Sequence, residues 1–310
     1  MQILSSRAII GLYFHELMVD AGNSWVNLIA NLFDSDQASE TYAFLGMVPG
    51  FREWIGNRQA KSLRDEKFTI RNIKYESTLE IQLEDLRRDK TRQIITRIQD
   101  HARRANTHWA SLLSTIIVDG ESTVAYDGQF FFDTTHSWGD SGTQSNDIDV
   151  DISAVPAQVH GSITAPSPEE INQAILKGIN QICSFKDDQG EPLNETASGF
   201  LAMTPFSLLD AAQSGTSLPR GTHPGEQVTQ KSIQVIGNAR LSAWDDKLVV
   251  FRTDAPIKAL IRQEENGIQM AVKGNGSDFE FDHDAHQFGM TSNRAVGVGM
   301  WDQACLVTLV

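Results

Sequence analysis

The densest group of chemistry-bearing side chains in this 310-residue chain is Asp282-His283-Asp284-Ala285-His286. On a strand, where side chains alternate, Asp282, Asp284 and His286 share one face and present two carboxylates and an imidazole to a divalent metal. The segment follows Gly274-Asn275-Gly276, a turn signal, and no second ligand cluster has diagnostic spacing, so a solvated turn is the stronger reading. His136 near Asp133 suggests a base with an orienting carboxylate, but a general base needs a partner and a pocket that the residues do not name. A metal-dependent enzyme using His136, His283 and His286 is the alternative function. No catalytic residue, metal or cofactor is assigned.

Nucleotide and serine-hydrolase chemistry find no support. The chain has no G-x-S-x-G elbow and no G-x-x-x-x-G-K-[ST] loop, and Gly297-Val298-Gly299 is a lone G-x-G in a strand-like run, where small residues permit close packing. The run Phe130-Phe131-Phe132 reads either as a buried strand or as a contact patch.

The elements around these groups are legible from period and punctuation. Between Asn57 and Asp119 there is neither glycine nor proline. Phe68 and Ile70 alternate with polar residues, and Ile73, Tyr75, Leu79, Ile81 and Leu83 alternate in the opposite phase. The flip at Arg71-Asn72 predicts a bulge or tight turn in a long two-stranded ribbon. From Arg88 the period changes, with Ile94, Ile95, Ile98, Ala102, Ala105, Trp109, Leu112, Leu113 and Ile116 recurring at three and four. That pattern predicts one amphipathic helix roughly 45 Å long. An isolated ribbon is marginal in water, so its partner is either this chain's own core or another subunit.

Before the ribbon, Asn23 or Ser24 is expected to cap a short helix placing Trp25, Leu28, Ile29, Leu32 and Phe33 on one face. Residues 119–166 read as a long polar excursion, of the length that usually marks a functional or interaction loop. Ser167-Pro168-Glu169-Glu170 combines capping-box spacing with proline at the first helical position, followed by Ile171, Ile175, Ile179 and Ile182. Strands are expected at Gly199–Met203, Ile233–Ile236, Leu248–Arg252 and Ala259–Arg262, a helix from Thr204-Pro205 to about Ala212, and a closing strand or pair within Arg294–Val310. The order gives an α+β body.

With 40% hydrophobic residues the chain can bury a core, and its apolar runs are too short to span a membrane. No secretory signal stands out, and Cys183 and Cys305 read as buried thiols in a reducing cytosol. The net charge of −14 is unevenly spread. Residues 51–110 hold 14 Lys+Arg against 9 Asp+Glu, and the remainder holds 12 against 31. A basic ribbon and helix in an acidic protein favour oriented self-association and disfavour tight, sequence-specific DNA binding.

Three groups of residues then point one way: Phe51-Arg52-Glu53-Trp54-Ile55-Gly56-Asn57-Arg58, the ribbon-then-helix block, and Tyr126-Asp127-Gly128 continuing to Phe132-Asp133-Thr134-Thr135-His136. On these the chain resembles the major head (capsid) subunits of Mu-like phages and prophages, from about residue 5 to the end, with Ser137 where that family usually has proline. The resemblance implies a Hong Kong 97-like capsid fold and a non-enzymatic subunit of an icosahedral head enclosing double-stranded DNA. It implies an N-terminal arm over 1–50, an extended loop (E-loop) ribbon over 51–86, and a peripheral domain over 87–166 with a spine helix at 88–117. An axial domain over 167–255 and a return to the peripheral domain over 256–310 complete the map.

The expected subunit contacts begin in the arm and the ribbon entrance, with Trp25, Phe33, Phe51, Arg52, Trp54 and Arg58. Arg64, Lys67, Phe68, Arg71 and Lys74 continue along the ribbon, and Tyr126, Asp127 and His136 come from the later motif. Expected partners are further copies of the chain, scaffold, portal and decoration proteins, and packaged DNA held non-specifically, with no membrane. The implied location is the virion head, assembled in the host cytoplasm. A tail or decoration protein is the other phage-structural alternative.

Overall fold

The structure is a computed structural model that describes residues 6–17, 24–45, 65–88, 93–217 and 232–310. Strands and helices are numbered along the chain. A four-stranded sheet joins β1 (Ala30–Asp34), β11 (Leu260–Lys273), β12 (Ala285–Val298) and β4 (Ile73–Gln82), in that order. β1 runs parallel to β11, and the other pairs are antiparallel. At the usual rise, the β11–β12 hairpin is about 45 Å long, and α8 (Asp278–His283) closes its tip.

Against this sheet lie α4 (Gln93–Asn106) and α5 (His108–Val118), with α1 (Ser6–Leu17) packed on α4. The stripe Ile94, Ile98 and Ala102 faces Ile81, Phe288 and Met290 from the sheet and Ile9 and Tyr13 from α1. The single helix expected over 88–117 is divided. Thr107 interrupts it between α4 and α5, and a further helix, α3, spans Leu83–Arg88. The Thr107 hydroxyl donates to the Arg104 carbonyl at 3.1 Å, a local bond that competes with helix geometry. The backbone ladder still crosses it, since Ser111 N–H donates to the Thr107 carbonyl at 3.0 Å.

A five-stranded sheet forms the other half of the body. Its order is β7 (Asp147–Val150), β13 (Ala304–Leu309), β10 (Lys247–Arg252), β8 (Gly199–Thr204) and β9 (Ser232–Gly237). The central strands are apolar on both faces, as strands covered on two sides must be: Leu201 to Met203, Leu248 to Phe251 and Ala304 to Val307 are all buried. Over it lie α6 (Pro168–Ser184) and α7 (Phe206–Thr216). The expected capping box is present: Ser167 Oγ accepts from Glu170 N–H at 3.3 Å, and Glu170 Oε2 accepts from Ser167 N–H at 2.8 Å. Gly178 lets α6 sit close, because a Cβ there would meet Val250 Cγ2 and Val307 Cγ2 at 3.0 Å.

Several expectations are corrected. β3 (Asp65–Arg71) and β4 do not pair with one another. β3 pairs with β2 (Ser39–Leu45), and β4 pairs with β12, so Asn72 marks the step between two sheets. The N-terminal segment holds α1, whose apolar residues meet α4, and then only a five-residue helix, α2 (Trp25–Ile29). Leu32 and Phe33 belong to β1. The strand beginning near Ala259 runs on to Lys273, and β12 opens at Ala285, so one long hairpin stands where a short strand and a loop were expected. Residues 119–166 are no free excursion. The short pair β5 (His136–Ser137) and β6 (Thr143–Gln144) stands among residues Phe131, Phe132, Trp138, Val150 and Ile152, all of which enter the main core. The last strand, β13, returns to the five-stranded sheet and not to the four-stranded one.

Candidate assembly surface

The β2–β3 ribbon has an anchored foot. Tyr42 donates its hydroxyl to Gln263 Oε1 on β11 at 2.9 Å and stacks obliquely on Phe33, with ring centroids 5.3 Å apart. Burial and Glu40 push the Tyr42 phenol up to about 12, which keeps it a donor at any ordinary pH. The Asn72 amide donates to Ser35 Oγ at 2.9 Å and to the Gln37 carbonyl at 2.7 Å, and Gln263 Nε2 donates to Asn72 Oδ1 at 2.8 Å. These bonds explain the phase flip read at Arg71-Asn72: the chain stops there to lock three elements together.

Ile70 is buried against Ile261 and Ala295 beneath this network. Gly297 makes room for it, since a Cβ at that position would meet Ile70 Cδ1 at 2.3 Å. The lone G-x-G thus works by close packing, as its residue types imply.

The two outer strands of the four-stranded sheet offer open faces. β1 exposes Leu32 and Phe33, the latter 38% exposed, and β4 exposes Ile73 together with Lys74, Glu76 and Glu80. Charges on such an edge discourage indiscriminate strand pairing. At the far tip of the long hairpin, Phe281 on α8 is 92% exposed. Sequence reading missed it, although Ser277 and Glu280 form a cap at the diagnostic spacing, with Glu280 N–H donating to Ser277 Oγ at 3.2 Å.

That helix also overturns the strand-face geometry of the Asp/His segment. Asp282 and His283 end α8, Asp284 takes a left-handed conformation (φ 48°), and His286 lies on β12, so the side chains do not line one face. His286 Nε2 lies 3.3 Å from Glu280 Oε1. Among the described residues no three His, Cys, Asp or Glu side chains are grouped to hold a metal.

The later aromatic motif faces mostly inward: Phe131 and Phe132 are buried, and Phe130 is exposed. His136 is fully buried, with Nδ1 2.6 Å from Asp127 Oδ2 and its ring stacked on Trp301. Tyr126 packs obliquely on Trp138, and Asp133 Oδ1 accepts from the backbone N–H and hydroxyl of Thr135. Those bonds hold the Asp133 carboxyl below its ordinary range despite the opposing effect of burial. The pairing expected for His136 therefore goes to Asp127 and not to Asp133. Trp25 is likewise spent inside the subunit, in the main core. Of the expected contact residues, Phe33, Arg71 and Lys74 are exposed and Phe68 is half-buried. Lys67 lies on β3, while Phe51, Arg52, Trp54, Arg58 and Arg64 lie outside the described residues.

Residues 10–155 match the family model described as the Mu-like prophage major head subunit gpT. The Mu-like prophage FluMu major head subunit of Haemophilus influenzae is 37% identical over 111 residues, 36% of each chain. The major capsid protein of Escherichia phage Mu is 32% identical over 113 residues, 36% of this chain and 37% of its own. The matches thus span about a third of the length of these curated relatives.

Solved structures extend the likeness in fold. A chain of the bacteriophage JBD30 procapsid matches 97% of this chain and 74% of its own, with TM-score 0.52 and 20% identity. The capsid of cyanophage P-SCSP1u gives TM-score 0.59 at 11% identity over 91% of this chain and 86% of its own. A virus-like particle from Pyrococcus furiosus gives 0.55 at 8% over 96% of both.

Proposed function

We propose that this chain, whose residues 10–155 match the model of the Mu-like major head subunit family and whose fold is that of phage capsid chains, is a major capsid protein that builds a phage head. The observation that carries the reading is that family and fold coincide: the capsid fold covers nearly the whole chain, well beyond the segment matched in sequence. In this reading the subunit performs no catalysis. Copies of the chain are its main partners, scaffold, portal and decoration proteins are further ones, and DNA is enclosed without specific recognition.

The proposed division of labour follows the two sheets. The four-stranded sheet with α4 and α5 serves as the peripheral domain, and the five-stranded sheet with α6 and α7 as the axial domain. The extended loop is the β2–β3 ribbon together with the residues between its strands, a reassignment from 51–86 to about 39–71 that rests on the observed pairing. A foot fastened through Tyr42, Asn72 and Gln263 lets such a ribbon be held rigidly while it crosses a neighbour.

Exposed anchors supply the contacts. Burying an aromatic side chain removes roughly 150–250 Å² from water, on the order of 4–6 kcal/mol before ordering costs. A few anchors per contact, repeated around a closed shell, give a stable lattice whose single contacts remain reversible during assembly. The net charge of −14 suits a container whose wall must not adhere to nucleic acid. A strongly basic inner surface in the assembled shell would overturn that last point.

The test is negative-stain electron microscopy with light scattering on the purified chain, alone and coexpressed with its neighbouring genes. Closed shells, hexamers or pentamers are expected. Tubes, or binding to preformed heads, would instead indicate a tail or decoration protein. A uniform small oligomer under every condition would remove the capsid reading.

A further inference from the structure

Phe281 stands almost clear of the body on α8, at the far end of the β11–β12 hairpin. Asp278, Asp282, His283 and Asp284 are exposed beside it, while the Lys273 ammonium lies over the Phe279 ring, 5.6 Å from its centroid. A lone exposed ring is ordinary on a protein surface. This one is singled out because the same chain carries a seat of matching size and opposite charge.

The seat lies where α4 gives way to α5, as a half-open cavity of about 200 Å³ between the helices and the four-stranded sheet. Ala105 and Ile268 are half-buried on its walls, with Met290 behind them. Tyr75 and His108 add aromatic walls, packed edge-on with centroids 4.5 Å apart. An apolar cavity of about 150 Å³ already admits benzene, so a phenyl ring fits, and aromatic walls favour an aromatic guest. Burial with Arg294 and Arg240 nearby holds the His108 imidazole below its ordinary range, so that wall is uncharged at neutral pH.

The rim sets the sign. Arg104 borders the cavity, and Arg97, two turns earlier on α4, lies on the same stripe; both are exposed. Asp100 is held by Arg103 at 3.8 Å. Glu76 also borders the cavity, but its carboxylate accepts from Thr78, two residues along β4 and so on the face opposite Tyr75 and Ser77. A basic rim around an apolar seat is the complement of an exposed phenyl ring flanked by carboxylates. The ring cannot reach the cavity of its own chain. Met290 stands five residues along β12 from Ala285, about 17 Å at the usual rise, and the buried Phe288 lies between them.

We infer that Phe281 of one copy seats in the α4–α5 cavity of a second copy, with Asp278, Asp282 and Asp284 meeting Arg97 and Arg104. This rests on the capsid reading, because it needs many copies side by side. Tip and seat are different patches, so the contact is heterologous and completes itself only in a ring or shell. One phenyl ring and a few ion pairs bury far less than the roughly 1,200 Å² of a stable pair, so the contact forms within the assembly and not between free chains.

Disulfide trapping tests this. Arg104→Cys with Asp282→Cys keeps Phe281 and puts one thiol at the rim and one on the tip, both at exposed positions that folding tolerates; Cys183→Ser removes the half-buried native thiol. Oxidised shells of this chain are expected to give disulfide-linked multimers on a denaturing gel, and each single-cysteine chain none. Phe281→Ser in the same background should lower the linked fraction about fivefold, and Ala105→Leu, which fills the seat, should do likewise. Dimers from Asp282→Cys alone would place tip against tip and overturn the inference. Normal shells without linkage would overturn it and leave the capsid reading standing, whereas failure of the parent chain to assemble at all would remove both.

Discussion

The imidazole of His136 lies flat against the indole of Trp301, with ring centroids 4.1 Å apart and planes 6° from parallel. The stack joins a loop in the first half of the chain to the turn that leads into the last strand, and Asp127 fixes the other side of the same imidazole at 2.6 Å. His136→Ala removes the stack and leaves a carboxylate without its donor. The expected loss is about 2–4 kcal/mol, read by urea denaturation as a lower midpoint at unchanged slope. A loss below about 0.5 kcal/mol would mean that the stack is incidental.

Ile70 fills the space beside Gly297 at the ribbon's foot, leaving no room there for a Cβ. Gly297→Ala is expected to destabilise by about 1–3 kcal/mol, because the new methyl competes with Ile70 for one space. Ile70→Ala in the same chain should recover part of that loss, giving a coupling energy of opposite sign to the single effects. Strict additivity in the double-mutant cycle would show that the two side chains do not compete.

Asp302, just after Trp301, supplies a pH dependence. Its complete burial raises the carboxyl from 3.8 to about 6, against the weaker opposing effects of Gln303 and Arg252. The folded state then holds a proton that the unfolded state has released, so this group's contribution is greatest below pH 4 and is lost as pH rises to about 6. The size of the change is about 3 kcal/mol. The stability of the parent chain relative to Asp302→Asn should fall across that window and level off above it. A flat difference from pH 4 to pH 7 would rule the shift out.

Arg71 and Lys74 lie on either side of the Asn72 lock, both exposed. Their joint reversal to glutamate should leave the denaturation midpoint within about 0.5 kcal/mol of the parent, as exposed changes usually do. Under the capsid reading the same variant assembles poorly, seen as fewer shells by light scattering and microscopy. Normal shell yield would exclude these two charges from the contacts.

Phe281 makes the complementary case. Nearly all of its surface is open, so Phe281→Ser is expected to melt with the parent chain. If the hairpin tip seats on a neighbour, shells of this variant come apart at lower denaturant or higher salt. Shells indistinguishable from the parent's would make Phe281 an ornament of the tip.

What could be read from the residues divides by the range of the forces involved. α6 was legible to its first residue because Ser167, Pro168 and Glu170 encode the start locally. The buried stripe of α4 was legible for the same reason. Strand partners were not. The alternation on both sides of Asn72 is real, yet nothing local says that β3 turns to β2 while β4 turns to β12. The loop over 119–166 looked solvated because glycine, serine and aspartate dominate it, while its few aromatics carry it into the core. His136 was singled out correctly as hydrogen-bonded, but its partner is Asp127, nine residues back, and its stacking ring comes from the far end of the chain. Phe281 escaped because a lone exposed aromatic has no period.

The parallel pairing of β1 with β11 sets a timetable. Ala30 finds its partner only at Leu260, and the ribbon's foot is fastened through Gln263. While a ribosome is making the chain, the arm and ribbon therefore emerge long before the residues that hold them in place. Contacts of such long sequence separation form slowly. A polypeptide arranged in this order cannot close its four-stranded sheet or fasten the ribbon's foot until the residues around Leu260 and Gln263 have left the ribosome.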